Sequence, residues 1–487
     1  MSNLLAIAKS GLDASRKALK TTGHNIANVN TEGYSRQRVN QVTNPPIETQ
    51  GNLIGSGVRV KGVDRIADPY IEKRLNKATS DTEYFDARAN KLAEVEMIFN
   101  DLDGEGLHKV MNDFFNSFRE LANQPENETI RSVVRDKANL VVKDIRRIRE
   151  TLDDISNGID SRVHHDVDTI NTILNKISKL NVEIARLEAG EDETGDLRDQ
   201  RDLAVRQLSE FFSVNTYVEE DGSYMVNAVG VGTIVAGKLV QELSSAATNK
   251  DESTNGMEGA REVFFDSRKT LPLTKKFKGG GLSSMLKVRN EDIVELKKRI
   301  DRIAFEFSNA VNAIHNRGYV ARNVEVNAEG RAPAFDQNGP TTGINFFEEI
   351  RDVEGASMNL RLSEDVKNDL NNITTALAPN SPGDNRIAVA ISKLQHEKFL
   401  EGGTTSLEDS YLSMVGKVGL EAGKAKMNLE QSEGLLAQAK SLRERLSGVS
   451  IDEETANLIR YQQAYDASAK VMQTADEMFQ TILTIKR

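Results

Sequence analysis

The chain has no cysteine and no tryptophan, only nine prolines, and aromatic residues at 5% of its 487 positions. Without cysteine, disulfides, thiolate zinc sites and a Cys nucleophile are excluded, although that absence does not assign a compartment. With so few aromatics, a core must be built from Leu, Ile, Val and Ala, which suits packed helices better than a β-sandwich. Long apolar runs are missing too. Leu4 to Ala8 stops at Lys9, too short for a signal-peptide core, and no segment approaches the roughly 20 apolar residues of a membrane span. Positive charge is in the minority: the net charge is −11. Such a surface repels phosphate backbones and anionic lipid, so neither nucleic acid nor a membrane is an expected partner.

Catalytic and metal-binding patterns are equally sparse. Asp101-Leu102-Asp103-Gly104-Glu105-Gly106 imitates the start of an EF-hand loop, but its twelfth position is Asn112 rather than the bidentate Glu the site needs. It reads as a helix–helix turn. His164 and His165 are adjacent, so on a helix they point roughly 100° apart and cannot share a metal. The other histidines (24, 108, 315, 396) are scattered, with no His-Glu-x-x-His. Gly279-Gly280-Gly281 lacks the Gly-Lys-Ser/Thr that cradles phosphate, Gly55-Ser56-Gly57 lacks a third glycine, and no Gly-x-Ser-x-Gly occurs. No cofactor, no metal and no catalytic activity are expected.

What the chain does have is helical periodicity, strongest at its two ends. Leu5, Leu12, Leu19 and Ile26 recur every seven residues, with Ala8, Ser15 and Thr22 between them. That is an a/d seam, so residues 1–28 read as one amphipathic helix with a face that seeks a partner. Asn25, Asn28, Asn30 and Gly33 follow and lead to Tyr34; such residues tolerate turn conformations and stop a helix. The seam is thin because its d positions are small, and a lone helix of this kind is marginal in water. At the far end Ile451, Leu458, Tyr465, Met472 and Phe479 repeat every seven residues, interleaved with Tyr461, Ser468, Ala475 and Ile482. Four heptads in phase predict a coiled coil, although a core helix of one globular domain would show part of the same pattern. Asp452-Glu453-Glu454 load its first turn with the sign that the helix dipole favours.

Between the ends, Val39 to Ile66 has an extended texture broken by Pro45-Pro46 and several glycines. Asp68-Pro69 opens a helix to about Asn100, and a second runs from Leu107 to Ala122. Val141, Ile145, Ile148, Leu152, Ile155 and Ile159 alternate steps of four and three. Val163 and Val167 interrupt that rhythm, and Ile170, Leu174 and Ile177 restore it. This predicts one helix from about Thr129 to Glu188, ~90 Å long if unbroken at about 1.5 Å per residue, with Gly158 as the expected kink. Gly190 to Gly195 is an acidic loop, and a helix follows from Leu197 to Phe212. Alternation around Asp221-Gly222 then signals a hairpin within a β-rich segment that includes Val263-Phe264-Phe265. Helix resumes from Leu282 to His315. Residues 318–365 are irregular, with a possible strand at Met358–Leu362, and helix runs from Arg386 to the end with breaks at Gly402-Gly403 and Ser447-Gly448.

The expected fold is mainly α with β insertions. It is elongated, discontinuous and multi-domain, with N- and C-terminal helices pairing as a coiled coil, a long helical bundle and a small outer β domain. The divisions are 1–40 with 447–487 as the terminal core. Residues 41–212, 282–319 and 366–446 form the bundle, including an extended segment at 41–68. Residues 213–281 are a β-rich outer insertion and 320–365 an irregular one.

The run His24-Asn25-Ile26-Ala27-Asn28-Val29-Asn30-Thr31-Glu32-Gly33-Tyr34-Ser35-Arg36 resembles the motif shared by flagellar axial proteins, the rod, hook and hook-associated proteins. Ser447-Gly448-Val449-Ser450-Ile451-Asp452-Glu453-Glu454, Ala456-Asn457-Leu458-Ile459-Arg460-Tyr461-Gln462-Gln463-Ala464-Tyr465 and Thr474–Phe479 are similar to the hook-associated branch. Further likeness lies in Gly57–Arg65, Asp68-Pro69, Asp196–Asp202, Gly318-Tyr319 and Gly383-Asp384-Asn385. Residues 213–278 and 320–365 carry none, and Lys9-Ser10-Gly11-Leu12 only approaches the family's small-residue pattern.

The resemblance implies a structural adaptor at the hook–filament junction of the bacterial flagellum. It would be secreted by the flagellar type III system without a cleaved signal peptide and would assemble as a ring of identical subunits. It further implies as partners the hook protein, a second hook-associated or filament-side protein, and a cytoplasmic export chaperone at the C-terminal region. The residues it assigns to assembly are Leu5, Leu12, Leu19, Asn25, Ile26, Asn28, Asn30, Gly33, Tyr34, Ile451, Leu458, Tyr461, Tyr465, Met472, Ala475, Phe479 and Ile482. Two alternatives stand beside it: a rod or hook subunit, which shares the N-terminal motif, and an extracellular enzyme carried in the β insertion.

Overall fold

A computed structural model describes residues 2–49, 52–99, 106–189, 193–247, 260–327, 329–400 and 402–485. The EF-hand-like residues 101–105 lie outside the described residues, as does the first half of the acidic loop, 190–192. The first helix, α1 (Ser2–Ala27), leads into four short strands: β1 (Gln37–Thr43), β2 (Ile47–Thr49), β3 (Asn52–Ile54) and β4 (Val58–Arg65). β1 pairs antiparallel with β4, with a register shift at Asn40/Gln41, and β2 with β3. Next is α2 (Pro69–Ile98), capped as its sequence suggests. Asp68 accepts the Tyr70 N–H, and proline occupies a position where the missing N–H costs nothing.

Helices α3 (Leu107–Asn123), α4 (Glu128–Glu188) and α5 (Gly195–Phe211) complete the first half. α4 is helical throughout its 61 residues, Gly158 included, so the chain does not break at the expected kink. The whole 4–3 row from Val141 to Ile177 is buried. Each residue of that row is a step along one stripe, and the stripe organises everything packed on it.

The β-rich segment holds a four-stranded sheet and a hairpin. The sheet orders β5 (Val214–Val218), β6 (Tyr224–Ala228), β7 (Gly232–Ala236) and β8 (Leu239–Val240), and the hairpin pairs β9 (Leu243–Ala247) with β10 (Arg261–Phe265). These strands have no separate core. Val226, Ile234, Val235, Leu243 and Val263 belong to the same buried cluster as α4 and the bundle. Helix then resumes as α6 (Gly280–Lys287), a π-wound segment at Val288–Ile293, and α7 (Val294–His315). The π segment was not legible as anything but helix. It carries Arg289, fully buried and bonded to Asp160 and to the Arg261 carbonyl.

In the irregular region, β11 (Phe335–Asp336) and β12 (Gly339–Pro340) form a two-residue ladder. The strand expected at Met358–Leu362 is instead a helical turn, α8 (Ala356–Asn359), and only Leu362 bridges to Phe347. The cause is tertiary: the Asp301 carboxylate accepts the Gly355 and Ser357 N–H groups at 3.1 Å each and so caps a helix N-terminus. α9 (Glu364–Asn368) and α10 (Arg386–Lys393) are short. The helix expected from Arg386 therefore stops early, and Gly402 and Gly403, both at positive φ, turn the chain into α11 (Leu407–Ser447) and α12 (Ile451–Ile485).

One apolar cluster extends from Leu92 to Ala425. It includes an aromatic knot of Phe114, Phe115, Phe118, Phe307, Phe346 and Phe347. Among the described residues, α1 and α12 contribute nothing to it. They pack on each other instead.

Candidate assembly site

Where α1 ends, the chain makes two successive turns held by its own short side chains. Asn28 Nδ2 donates to the His24 carbonyl at 3.0 Å, Thr31 N–H to the Asn28 carbonyl at 3.0 Å, and Thr31 Oγ1 to Asn28 Oδ1 at 3.1 Å. Gly33 follows at φ 81, a left-handed conformation that a side chain would strain. Asn30 is exposed in this turn.

Asn25 is the centre of the corner. It is buried, and all four hydrogen-bonding positions of its amide are used. Nδ2 donates to the Gln37 carbonyl at 2.9 Å and to Glu454 Oε2 at 3.1 Å. Oδ1 accepts the Gln37 N–H at 3.0 Å and the Tyr34 hydroxyl at 2.8 Å. Asn25 thus pairs with Gln37 as a neighbouring strand would, and reaches across to the opposite end of the sequence. Because Tyr34 spends its proton on Asn25, its oxygen is free to accept from His24 Nδ1 at 3.0 Å. Burial first, then the charges of Asp196, Asp199 and Glu454, hold the Tyr34 phenol well above its ordinary range, so it remains a donor.

The C-terminal segment closes the corner. Ser447 accepts the Arg36 N–H through its carbonyl at 2.8 Å. Arg36 Nε donates to Glu454 Oε1 at 2.8 Å, and its Nη1 to Glu453 Oε2 at 2.7 Å. Arg443, from the last turns of α11, donates to the Gly33 carbonyl at 2.7 Å and to Glu72 of α2 at 2.6 Å. From α5, Asp199 accepts the Ser35 N–H at 2.7 Å and pairs with Arg65 of β4 at 2.9 Å. Arg65 also holds Asp202 at 2.6 Å. One turn is therefore tied to four helices by polar bonds.

Along the α1–α12 contact, the buried line is not the leucine row. Ala8, Ala14, Ser15, Ala18, Thr22 and Asn25 are buried, and Leu5, Leu12, Leu19 and Ile26 lie half-buried on the flank. The two helices approach closely through small residues. A Cβ on Gly11 would stand 2.8 Å from Ser468 Oγ. On α12, Glu454 and Ala475 are buried, and Leu458, Tyr461 and Met472 are half-buried. Ile451, Tyr465, Phe479 and Ile482 are exposed, by 38% to 54%. The structure thus brings both ends together but leaves the leucines of α1 half-buried and several apolar side chains of α12 exposed.

Arg36, Glu454, Asp199 and Arg65 lie in runs that carry the resemblance, but neither they nor Arg443 were among the residues assigned to assembly from sequence. Glu454 could be read only as one of three acids suited to a first helical turn. Its burial comes from a partner more than 400 positions away. No described helix is long and apolar enough to cross a membrane, and among the described residues no three His, Asp or Glu converge as a metal cage.

Three family models match. Residues 92–329 match the helical domain of flagellar hook-associated protein FlgK, 444–485 the C-terminal region of the flagellar basal body rod FlgEFG proteins, and 5–34 the flagella basal body rod protein. Flagellar hook-associated protein 1 of Bacillus subtilis (strain 168) is 28% identical, over 98% of this chain and 97% of its own. Those of Escherichia coli (strain K12) and Salmonella typhimurium are 25% and 26% identical over the full length of both chains. The fold is that of the flagellar hook junction protein FlgK from Burkholderia pseudomallei. That structure aligns with a TM-score of 0.63 at 15% identity, covering 77% of this chain and 100% of the other. With relatives matched end to end and a helical-domain model across residues 92–329, the chain is similar over its whole length to flagellar hook-associated protein 1, a structural component of the flagellum.

Proposed function

We propose that the chain joins hook to filament as a ring-forming adaptor, and that the α1–α12 pair is its assembly element. The observation that carries this reading is the apolar surface of that pair, outside the main core and left partly open: Leu5, Leu12, Leu19 and Ile26, half-buried on one helix, and Ile451, Tyr465, Phe479 and Ile482, exposed on the other. Isolated exposed apolar residues need no explanation, but a row along two paired helices fits a surface completed by neighbouring subunits. Copies of the same chain would stack there to line an inner tube. One face of the ring would meet the hook protein, and the other a second hook-associated or filament-side protein. Export by the type III apparatus, with a chaperone at the C-terminal region, fits terminal helices that are stabilised mainly by each other and by polar bonds. The rod-protein matches at both ends keep a rod or hook subunit as the competing reading, but a helical-domain match across 92–329 favours the hook-associated one.

The test is a truncation lacking residues 452–487. Circular dichroism and near-native melting of the remainder are expected, with no incorporation at the distal end of the hook in labelled hook–basal bodies. A complete junction in cells producing only the truncation would refute the proposal.

A further inference from the structure

The outer face of α11 is built like a helix interface that has no occupant. Its inner face packs on α2 through Tyr411, Met414, Val418, Ala422, Ala425 and Ala439. At about 100° per residue, Leu412, Gly416, Leu420, Gly423, Met427 and Gly434 fall within an arc of about 80° on the opposite side. Leu412, Leu420 and Met427 are exposed by 50%, 58% and 67%. A Cβ added at Gly416, Gly423 or Gly434 would meet nothing within 4 Å among the described residues. Three open glycines weaken a helix at positions where alanine would fit without contact. Alternating with large apolar residues, they form a trough into which another backbone can come close. The molecule already uses that device internally, where Gly11 lies under Ser468.

We infer that this face receives a second copy of the chain, as a lateral contact outside the terminal tube. The inference rests on the ring reading and adds a second surface to it. Continuity argues for the occupant: α11 passes through Ser447-Gly448 directly into α12, whose exposed Ile451 begins the face proposed above for neighbouring copies. Size argues for the same occupant. From Leu412 to Gly434 the trough is ~33 Å long and ~10 Å wide, about 700 Å² when both sides are counted. Stable soluble complexes bury ~1,200–2,000 Å². The face is too small to dimerise the free subunit and becomes effective only when the terminal helices hold neighbours side by side. A subunit that must stay monomeric until it is incorporated needs that property.

The experiment uses the full chain in flagellated cells. Benzoylphenylalanine placed at Met427 should give, on irradiation of purified flagella, a product of twice the chain mass containing only this chain, and none from the secreted monomer. Placement at Phe479 serves as the control for the ring reading. A same-chain product at Phe479 with a different protein captured at Met427 overturns this inference and leaves the ring intact. No same-chain product at either position removes both. Independently, Gly423→Ala should raise the melting temperature of the monomer. Gly423→Trp and Leu420→Glu should leave that melting within a few degrees of the parent while lowering incorporation at least tenfold. Incorporation of both variants at the parent level refutes the proposal.

Discussion

Asn25 shows how much one side chain can organise. Its amide satisfies a strand edge, a phenol and a buried carboxylate at once, so Asn25→Ala leaves several buried polar groups without partners. Each such loss costs about 1–3 kcal/mol. Because the corner lies outside the main core, the cost should appear locally. Hydrogen exchange in residues 452–470 should accelerate at least tenfold, while the bundle's denaturation midpoint stays put; unchanged exchange there would show that Asn25 does not anchor the start of α12. A different residue contributes to acid sensitivity. His315 is fully buried, donating Nδ1–H to the Ile344 carbonyl at 2.7 Å and accepting the Thr374 N–H at Nε2 at 3.0 Å. It is therefore neutral in the fold. Burial, with the Arg131 charge adding to it, outweighs the Ile344 carbonyl and lowers the pKa from 6.5 to about 4. The unfolded chain takes up that proton first as pH falls, so the stability it confers is complete above pH 6.5. That contribution is lost progressively down to about pH 4, by ~3 kcal/mol. Urea midpoints measured across that range should fall for the parent and fall less steeply for His315→Gln. Parallel curves would show that His315 is not the group responsible.

At the scale of elements, α4 and α12 are opposites although both are long and periodic. α4 turns its whole 4–3 row into core, so Ile148→Ala, at a position with no exposure, should cost about 2–5 kcal/mol and lower the main unfolding transition. α12 keeps its heptads largely in solvent, and its firmest attachments are Glu454 and the small residues facing α1. Hydrogen exchange on the soluble monomer should therefore find α4 slow and both α1 and α12 fast. Equal protection in all three would mean that the terminal pair is as stable as the core. The helices themselves were plain in the sequence because their period is local. Caps and stops were less so: the turn at Ala356–Asn359 looked like a strand, since alternation in Met358–Leu362 cannot reveal that Asp301 supplies the missing acceptor. The π-wound segment has no signal in composition at all.

For the whole molecule, the division of apolar surface decides behaviour. A single cluster binds bundle and β strands into one unit, and the terminal pair is joined to that unit by Arg36, Arg443, Asn25 and Asp199 rather than by shared core. Calorimetry should resolve a small transition for the terminal pair below the main one, and removal of residues 452–487 should delete only the smaller; a single transition in both proteins would mean that the ends and the core are one cooperative body. The sequence alone determined that the chain is mainly helical and that its two ends carry matching heptads. Periodicity and residue type depend only on neighbours a turn away. Which face of α1 meets α12, and which acid of Asp452–Glu454 is buried, only the tertiary structure decided. Those outcomes depend on surfaces brought together from opposite ends of the chain. The expected seam holds two rows, the leucines and the small residues Ala8, Ser15 and Thr22, and it is the small row that is buried, because only small side chains let two helices come this close. That choice leaves the leucines half-buried on the flank, where the proposed neighbours would cover the rest of them.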